Sequence, residues 1–146
     1  MDKWMVEERL ADWSARLEAL FAGMDAWAES LPPDVTVCRD PVPQLIEVPM
    51  RKHGITDRLV PARRYQGPAG QVAFEPYYLW LPGCNGQVSV STDSRPHTLL
   101  DMGGFGGLPS DWRFRTSGIH LDPVPFGKEL FFEIVTRGHY AQSIAA

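Results

Sequence analysis

Cysteine is scarce in this chain: only Cys38 and Cys84 occur among its 146 residues. Two thiols cannot lace together a disulfide-dense secreted scaffold, and both are read as reduced. Also missing from the start is a cationic stretch followed by an apolar run, the mark of a secretory leader. Glu7, Glu8, Arg9, Asp12, Arg16 and Glu18 stand there instead. No uncharged apolar segment approaches the ~20 residues that a membrane span requires, so no membrane association is expected and the cytoplasm is the expected compartment. An excess of positive charge is lacking too. A formal net charge of −4 gives no overall attraction to nucleic acid or to an anionic membrane, and nucleic acid is not an expected partner. Nor does the sequence contain an internal repeat, a long linker, or a recognised catalytic or metal-binding signature. It implies no metal and no cofactor.

What is present describes a single α+β domain, residues 1–146. The apolar fraction of 44% and charged fraction of 22% are ordinary globular values and argue against disorder. Val6, Leu10, Trp13, Leu17, Leu20, Met24, Trp27 and Leu31 follow one another at alternating spacings of four and three, which predicts one apolar stripe down a long N-terminal helix. Glu8, Arg9, Asp12, Arg16, Asp25 and Glu29 form its polar side, and Pro32 with Pro33 ends it. Burying such a stripe contributes on the order of 12 to 24 kcal/mol of gross transfer free energy. The helix must therefore pack on something, either the chain's own sheet or the same stripe of a second copy. Two tryptophans in the stripe favour the sheet, because they fit poorly into the holes of a two-stranded coil.

Beyond the prolines, strands are predicted at Val35–Arg39, Leu45–Val48, Leu59–Tyr65, Val72–Leu81, Gln87–Ser91, Thr98–Met102 and Trp112–Thr116, separated by turn residues. Tyr77–Leu81 and Gln87–Ser91 form the clearest hairpin, closed across Pro82 to Gly86 by Asn85-Gly86. Val88 and Val90 alternate with Ser89 and Ser91, and Trp112 and Phe114 with Arg113 and Arg115, giving one apolar and one polar sheet face. Leu130, Phe131, Ile134 and Val135 recur at helical spacing in a short C-terminal helix over Phe126–Arg137, stopped by Gly138. The expected architecture is a long amphipathic helix packed on a mostly antiparallel, strongly bent sheet, with a short C-terminal helix.

Two segments carry a resemblance. FEPYYLWLPGCNGQVSV, from Phe74 to Val90, and the stretch from Trp112 to Val135 that ends in PVPFGKELFFEIV, resemble a group of small uncharacterised bacterial proteins. Trp80, Gly83, Asn85, Gly86, Trp112, Pro125, Phe126, Lys128 and Glu129 correspond to the group's hairpin and closing helix. The resemblance covers about half the chain, implies a common fold, transfers no activity, and suggests accessory genes of the kind carried on mobile elements, with an interaction role.

Several constellations could carry chemistry. Gly103, Gly104, Gly106 and Gly107 surround Phe105 without the Lys-Ser/Thr pair or helix start that a phosphate cradle needs, which predicts a mobile surface loop with Phe105 at its tip, a lid or a partner-binding finger. His120 and Asp122 would point the same way on an extended segment, and His97 with Asp101 would join them if their strands were neighbours. Such a set suits acid/base work or a cation; the plainer reading is scattered polar residues at strand ends. Cys84 could act as a nucleophile but stands in no recognised cysteine-hydrolase context. Arg51, Lys52, Arg58, Arg63 and Arg64, with His53 and Tyr65, make a locally basic stretch: a solvated loop and strand edge, or a contact for an acidic protein. Phe74, Tyr77, Tyr78, Trp80, Trp112 and Phe114 read as core, or as the lining of a pocket for a small apolar ligand.

Two functional expectations follow. The first is a non-enzymatic interaction module that presents Phe105, Tyr78, Trp80, Arg113 and Arg115, with Ser89 and Ser91, to a protein partner, or that self-associates through the N-terminal helix. The second is a small-molecule-binding domain or minor enzyme with an aromatic pocket between sheet and helix and His97, Asp101, His120 or Asp122 at its mouth.

Overall fold

A computed structural model describes residues 1–116 and 122–140. The chain opens with α1 (Lys3–Ala28), followed by β1 (Thr36–Cys38), β2 (Val42–Pro43), α2 (Val48–Arg51), β3 (Leu59–Val60), β4 (Arg63–Gly67), β5 (Gly70–Pro76), β6 (Gln87–Ser91), β7 (Pro96–Asp101), β8 (Trp112–Thr116), β9 (Val124–Pro125) and α3 (Lys128–Arg137). Seven strands form one sheet in the order β1-β4-β5-β6-β7-β8-β9, every pair antiparallel. β4 to β9 run as a meander in chain order, while β2 and β3 form a separate small ribbon. This is the α+β architecture that the sequence predicts. Among the described residues no helix is long and apolar enough to cross a membrane.

The stripe of α1 meets the chain's own sheet. Val6, Leu10, Trp13, Leu17, Leu20 and Met24 are buried together with Val72, Phe74, Val88, Val90, Leu99 and Phe114. Most of the stripe is thereby covered by the chain's own sheet, with Trp27 and Leu31 only partly buried. The helix starts earlier than expected and ends at Ala28, so Leu31 sits past it in a turn closed onto Ala28. Strand register explains which side chains face α1. Phe74, Val90, His97 and Thr116 share one row, and Pro76, Val88, Leu99 and Phe114 the next. The intervening rows place Glu75, Ser89, Thr98 and Arg115 on the far face, the alternation that one-sided burial demands. α3 packs on the helix side, its Phe131 against Tyr65, Phe74 and Trp27. Gly138 ends it in the left-handed conformation at φ 73°, its N–H bonded to the Ile134 carbonyl.

Three sequence expectations are corrected. Leu45–Val48 is not a strand. The ribbon strand lies at Val42–Pro43 and Val48 begins α2, where Pro49, which has no N–H for a ladder, suits a first helical turn. Tyr77–Leu81 is not a strand either: the regular register with β6 ends at Pro76, Tyr77 and Tyr78 together bond the single residue Gln87, and the N–H groups of Leu79 and Trp80 bond the Glu47 carboxylate instead of a neighbouring strand. The hairpin between β5 and β6 is consequently real, but its connection is a long loop rather than a tight Asn-Gly turn. Gly86 alone of that pair takes positive φ, at 137°, and a Cβ there would fall 2.3 Å from the Trp13 ring. Lastly, Arg16 is not on a solvated side of α1; it is 0% exposed.

Candidate functional site

Arg16 lies at the edge of the apolar stripe, and its position in the fold follows from what it finds there. Its Nε donates to Asp12 Oδ2 at 2.8 Å, one helical turn back. Nη1 donates to Asp101 Oδ2 at 2.8 Å and to Ser110 Oγ at 3.3 Å. Nη2 donates to the Gly104 carbonyl at 2.6 Å and to the Gly107 carbonyl. All five guanidinium donors are thereby used, the condition under which a buried arginine is tolerated. Asp101 closes the cluster from β7. Its Oδ1 accepts the N–H groups of Gly103 at 3.0 Å and Asp111 at 2.9 Å, and it too is 0% exposed. Burial alone would raise the Asp101 carboxyl, but the Ser110 hydroxyl, the two backbone N–H groups and Arg16 outweigh it and hold the pKa below the ordinary value.

The glycine-rich loop from Met102 to Asp111 is therefore anchored at both ends and in its middle. Its ends are joined by the Met102 N–H bonding the Asp111 carbonyl at 2.8 Å. Asn85 adds a further tie, its Nδ2 donating to the Gly103 carbonyl at 2.7 Å while its Oδ1 accepts from Arg9 at 3.4 Å. The base of the expected finger is thus tied to α1, β7 and Asn85, with Phe105 left projecting at its tip. The glycines serve approach and curvature: a Cβ on Gly103 would stand 2.7 Å from the Pro109 carbonyl, and Gly106 takes φ 81°. What the anchoring displays is apolar. Phe105 is 79% exposed at the tip and Leu108 56% exposed beyond it.

Because the loop crosses α1 at Arg16, it divides that flank of the helix into two grooves. One, of about 420 Å³, is lined by Met1, Trp4, Met5, Glu8, Arg9 and Asp12 of the first helical turns, with Trp80, Phe105 and Gly106 opposite. The other, of about 470 Å³, lies beyond the loop, where Ala19, Leu20, Gly23 and Trp27 face Leu108 to Trp112, Pro125 and Phe126. Small residues on α1 leave the second trough open, and aromatic rings stand at the far ends of both.

The residues singled out from sequence fall into separate places. Phe105 and Trp80 line one groove together. Tyr78 sits outside it, its ring 4.3 Å from that of Tyr77, and like Trp80 it belongs to a loop rather than a strand. Arg113 and Arg115 share the face turned away from α1, where Arg113 pairs with Asp111 at 3.0 Å. His97 and Asp101 both point inward but four positions apart on β7, about 13 Å along an extended strand. His97 Nδ1 shares a hydrogen bond of 2.8 Å with the Thr116 hydroxyl, and its ring stacks on Phe114. Burial, helped by Arg95, lowers its pKa to about 4. Asp122 is exposed, and His120 lies outside the described residues. Among the described residues no acidic, histidine and cysteine cluster could hold a metal ion. Cys84 is buried, its thiol directed to the Gly86 carbonyl at 3.6 Å.

The basic stretch is largely consumed within the fold. Arg58 bonds Gln44 and Ser14, Arg63 pairs with Asp25 at 2.8 Å, and Arg64 with Glu75 at 3.2 Å, which leaves Arg51 and Lys52 exposed on α2. Sequence reasoning missed Arg16, Asn85 and the apolar first turn of Trp4 and Met5. A signal existed for Arg16 alone: Asp12 stands four residues before it, and it borders Leu17 and Leu20 of the stripe. Compared with known proteins, the chain matches no family model, and no curated protein or solved structure is significantly similar to it.

Proposed function

We propose that the protein is a non-enzymatic interaction module whose working surface is the anchored loop and the two grooves beside it. The observation that carries this reading is the combination of Phe105, 79% exposed, with a loop fixed from below by a fully bonded Arg16. Exposed apolar side chains gathered around one groove, rather than scattered singly, mark interaction surfaces, and a tethered loop lowers the ordering entropy of binding. Trp4 at 64% exposure and Met5 extend the apolar surface next to it. Aromatic anchors flanked by troughs are the arrangement that hot spots take in protein interfaces. The resemblance to small accessory proteins agrees with the same role.

The test is native mass spectrometry of the chain purified from its source cells, beside a Trp4→Ser, Phe105→Ser variant. A second polypeptide retained by the natural protein and lost by the variant supports the reading. A partner held equally by both, or a bound small-molecule mass with no polypeptide, overturns it. The latter outcome would favour a second reading that has its own observation: Trp27, Trp112 and Phe126 line the larger groove between helix and sheet, a lining suited to a small apolar ligand.

A further inference from the structure

We infer that the grooves receive a cationic segment of another protein, one that sets apolar side chains into the troughs and lysine or arginine side chains against their acidic rim. This rests on the interaction reading above and adds the chemistry of the partner.

The argument begins with the ionic groups. Among the charged side chains that line the two grooves, Glu8, Asp12 and Asp111 stand against one cation, Arg9. Arg9 is turned into the fold: it donates to Asn85 Oδ1 and to the Leu79 carbonyl at 3.3 Å and lies 3.8 Å from Asp12. Asp12 and Asp111 each hold an arginine already. Glu8 is exposed and makes no ion pair among the described residues, so its charge is the one presented outward beside Trp4 and Phe105. Outside the grooves, Glu7 is paired with Lys3 at 4.0 Å, and the exposed Glu18 and Glu29 add negative charge along and just past α1. Beside the grooves Arg9 and Arg16 are taken up by bonds within the fold and Arg113 by Asp111, while Glu8 is left exposed and unpaired among the described residues.

That asymmetry selects among occupants. A second copy would bring the same acids to the interface, and a polyanion would be repelled, since like charges at a contact oppose association while complementary ones speed it and fix its register. A basic segment with apolar or aromatic side chains satisfies both features of the surface.

The experiment titrates the full chain, by calorimetry at low and at high salt, with two designed amphipathic peptides. The peptides share their leucine and tryptophan positions and differ only in carrying lysine or glutamate elsewhere. The lysine peptide is expected to bind about tenfold or more tighter than the glutamate peptide, with the gap closing at high salt. Glu8→Lys should reduce the preference and Phe105→Ser should weaken binding of the lysine peptide, while both variants keep the natural melting temperature. Equal binding of the two peptides overturns the inference but leaves the interaction reading standing. So does binding of neither peptide, since co-purification of a partner that depends on Trp4 and Phe105 tests the interaction reading by itself. Binding of the lysine peptide that is indifferent to both substitutions places it elsewhere and also overturns the inference.

Discussion

Arg16 and His97 are two buried polar side chains with opposite solutions. Arg16 is charged and satisfied by Asp12, Asp101, Ser110 and two glycine carbonyls. Removing the guanidinium strands the Asp101 carboxylate, and breaking such a pair from one side costs about 3–5 kcal/mol. Arg16→Met should therefore lower unfolding free energy by that order in urea melts, whereas a change under 1 kcal/mol would show that the cluster contributes little. His97 avoids the cost of a buried charge by staying neutral, its pKa near 4 against an ordinary 6.5. The unfolded chain takes up a proton at His97 below pH 6.5 and the folded chain does not until about pH 4. Its contribution is thus fully present above pH 6.5 and is lost as pH falls through that window, by about 3 kcal/mol in all. His97→Gln should flatten thermal stability between those pH values; an unchanged slope would assign acid sensitivity to other groups. Asp101, whose pKa is held low, acts at lower pH: its contribution is present above about 3.9 and lost as pH falls through its folded value.

The loop from Met102 to Asp111 behaves as an element although it has no regular structure. Its N–H groups at Gly103 and Asp111 are bonded to a buried carboxylate. Slow amide exchange at these two positions is expected, rising sharply in Arg16→Met while the amides of β6 stay protected. Fast exchange in the natural protein would show that the loop is not anchored. The same element shows what was legible from sequence. Gly103 to Gly107 marked a loop with Phe105 at its tip, because glycine clusters and solvent-facing aromatics are local signals. Its attachment was not legible, because the ties come from Arg16, 85 residues before Asp101, and from Asn85, whose pattern with Gly86 reads as a turn. Elsewhere the rule is the same. The stripe of α1, the alternation of β6 and β8 and the stop at Gly138 were readable from period and composition. The loop from Tyr77 to Gly86 was not, since its aromatic run mimics a strand and only the distant Glu47 carboxylate diverts its N–H groups.

At the scale of the whole molecule, the sheet has one face filled by α1 and α3, while among the described residues Pro43 to Leu45 reach over a corner of the other near Glu75, Ser89 and Ser91. Exposed Met1, Trp4, Met5 and Phe105 gather beside α1, where Glu8 and Asp12 accompany them. A surface of this kind, on a chain of net charge −4, should resist pairing with itself. The isolated protein is expected to sediment as a monomer at low salt, and a dimer stable under those conditions would mean that α1 and its loop meet their counterparts despite the acids.

The tie between Arg16 and Asp101 also bears on how the chain is made. A ribosome delivers α1 first and Asp101 only 85 residues later, an interval of roughly 4 to 17 s at elongation of about 5–20 residues per second. Throughout that interval Arg16 has Asp12 but not Asp101 to bond, and the apolar stripe lacks Leu99 and Phe114 of the later strands. Synthesis in the cell thus presents a partly covered apolar helix face to whatever holds emerging chains. Its release must await the seventh strand, so yield should depend on chaperone supply more than the finished protein's stability would suggest.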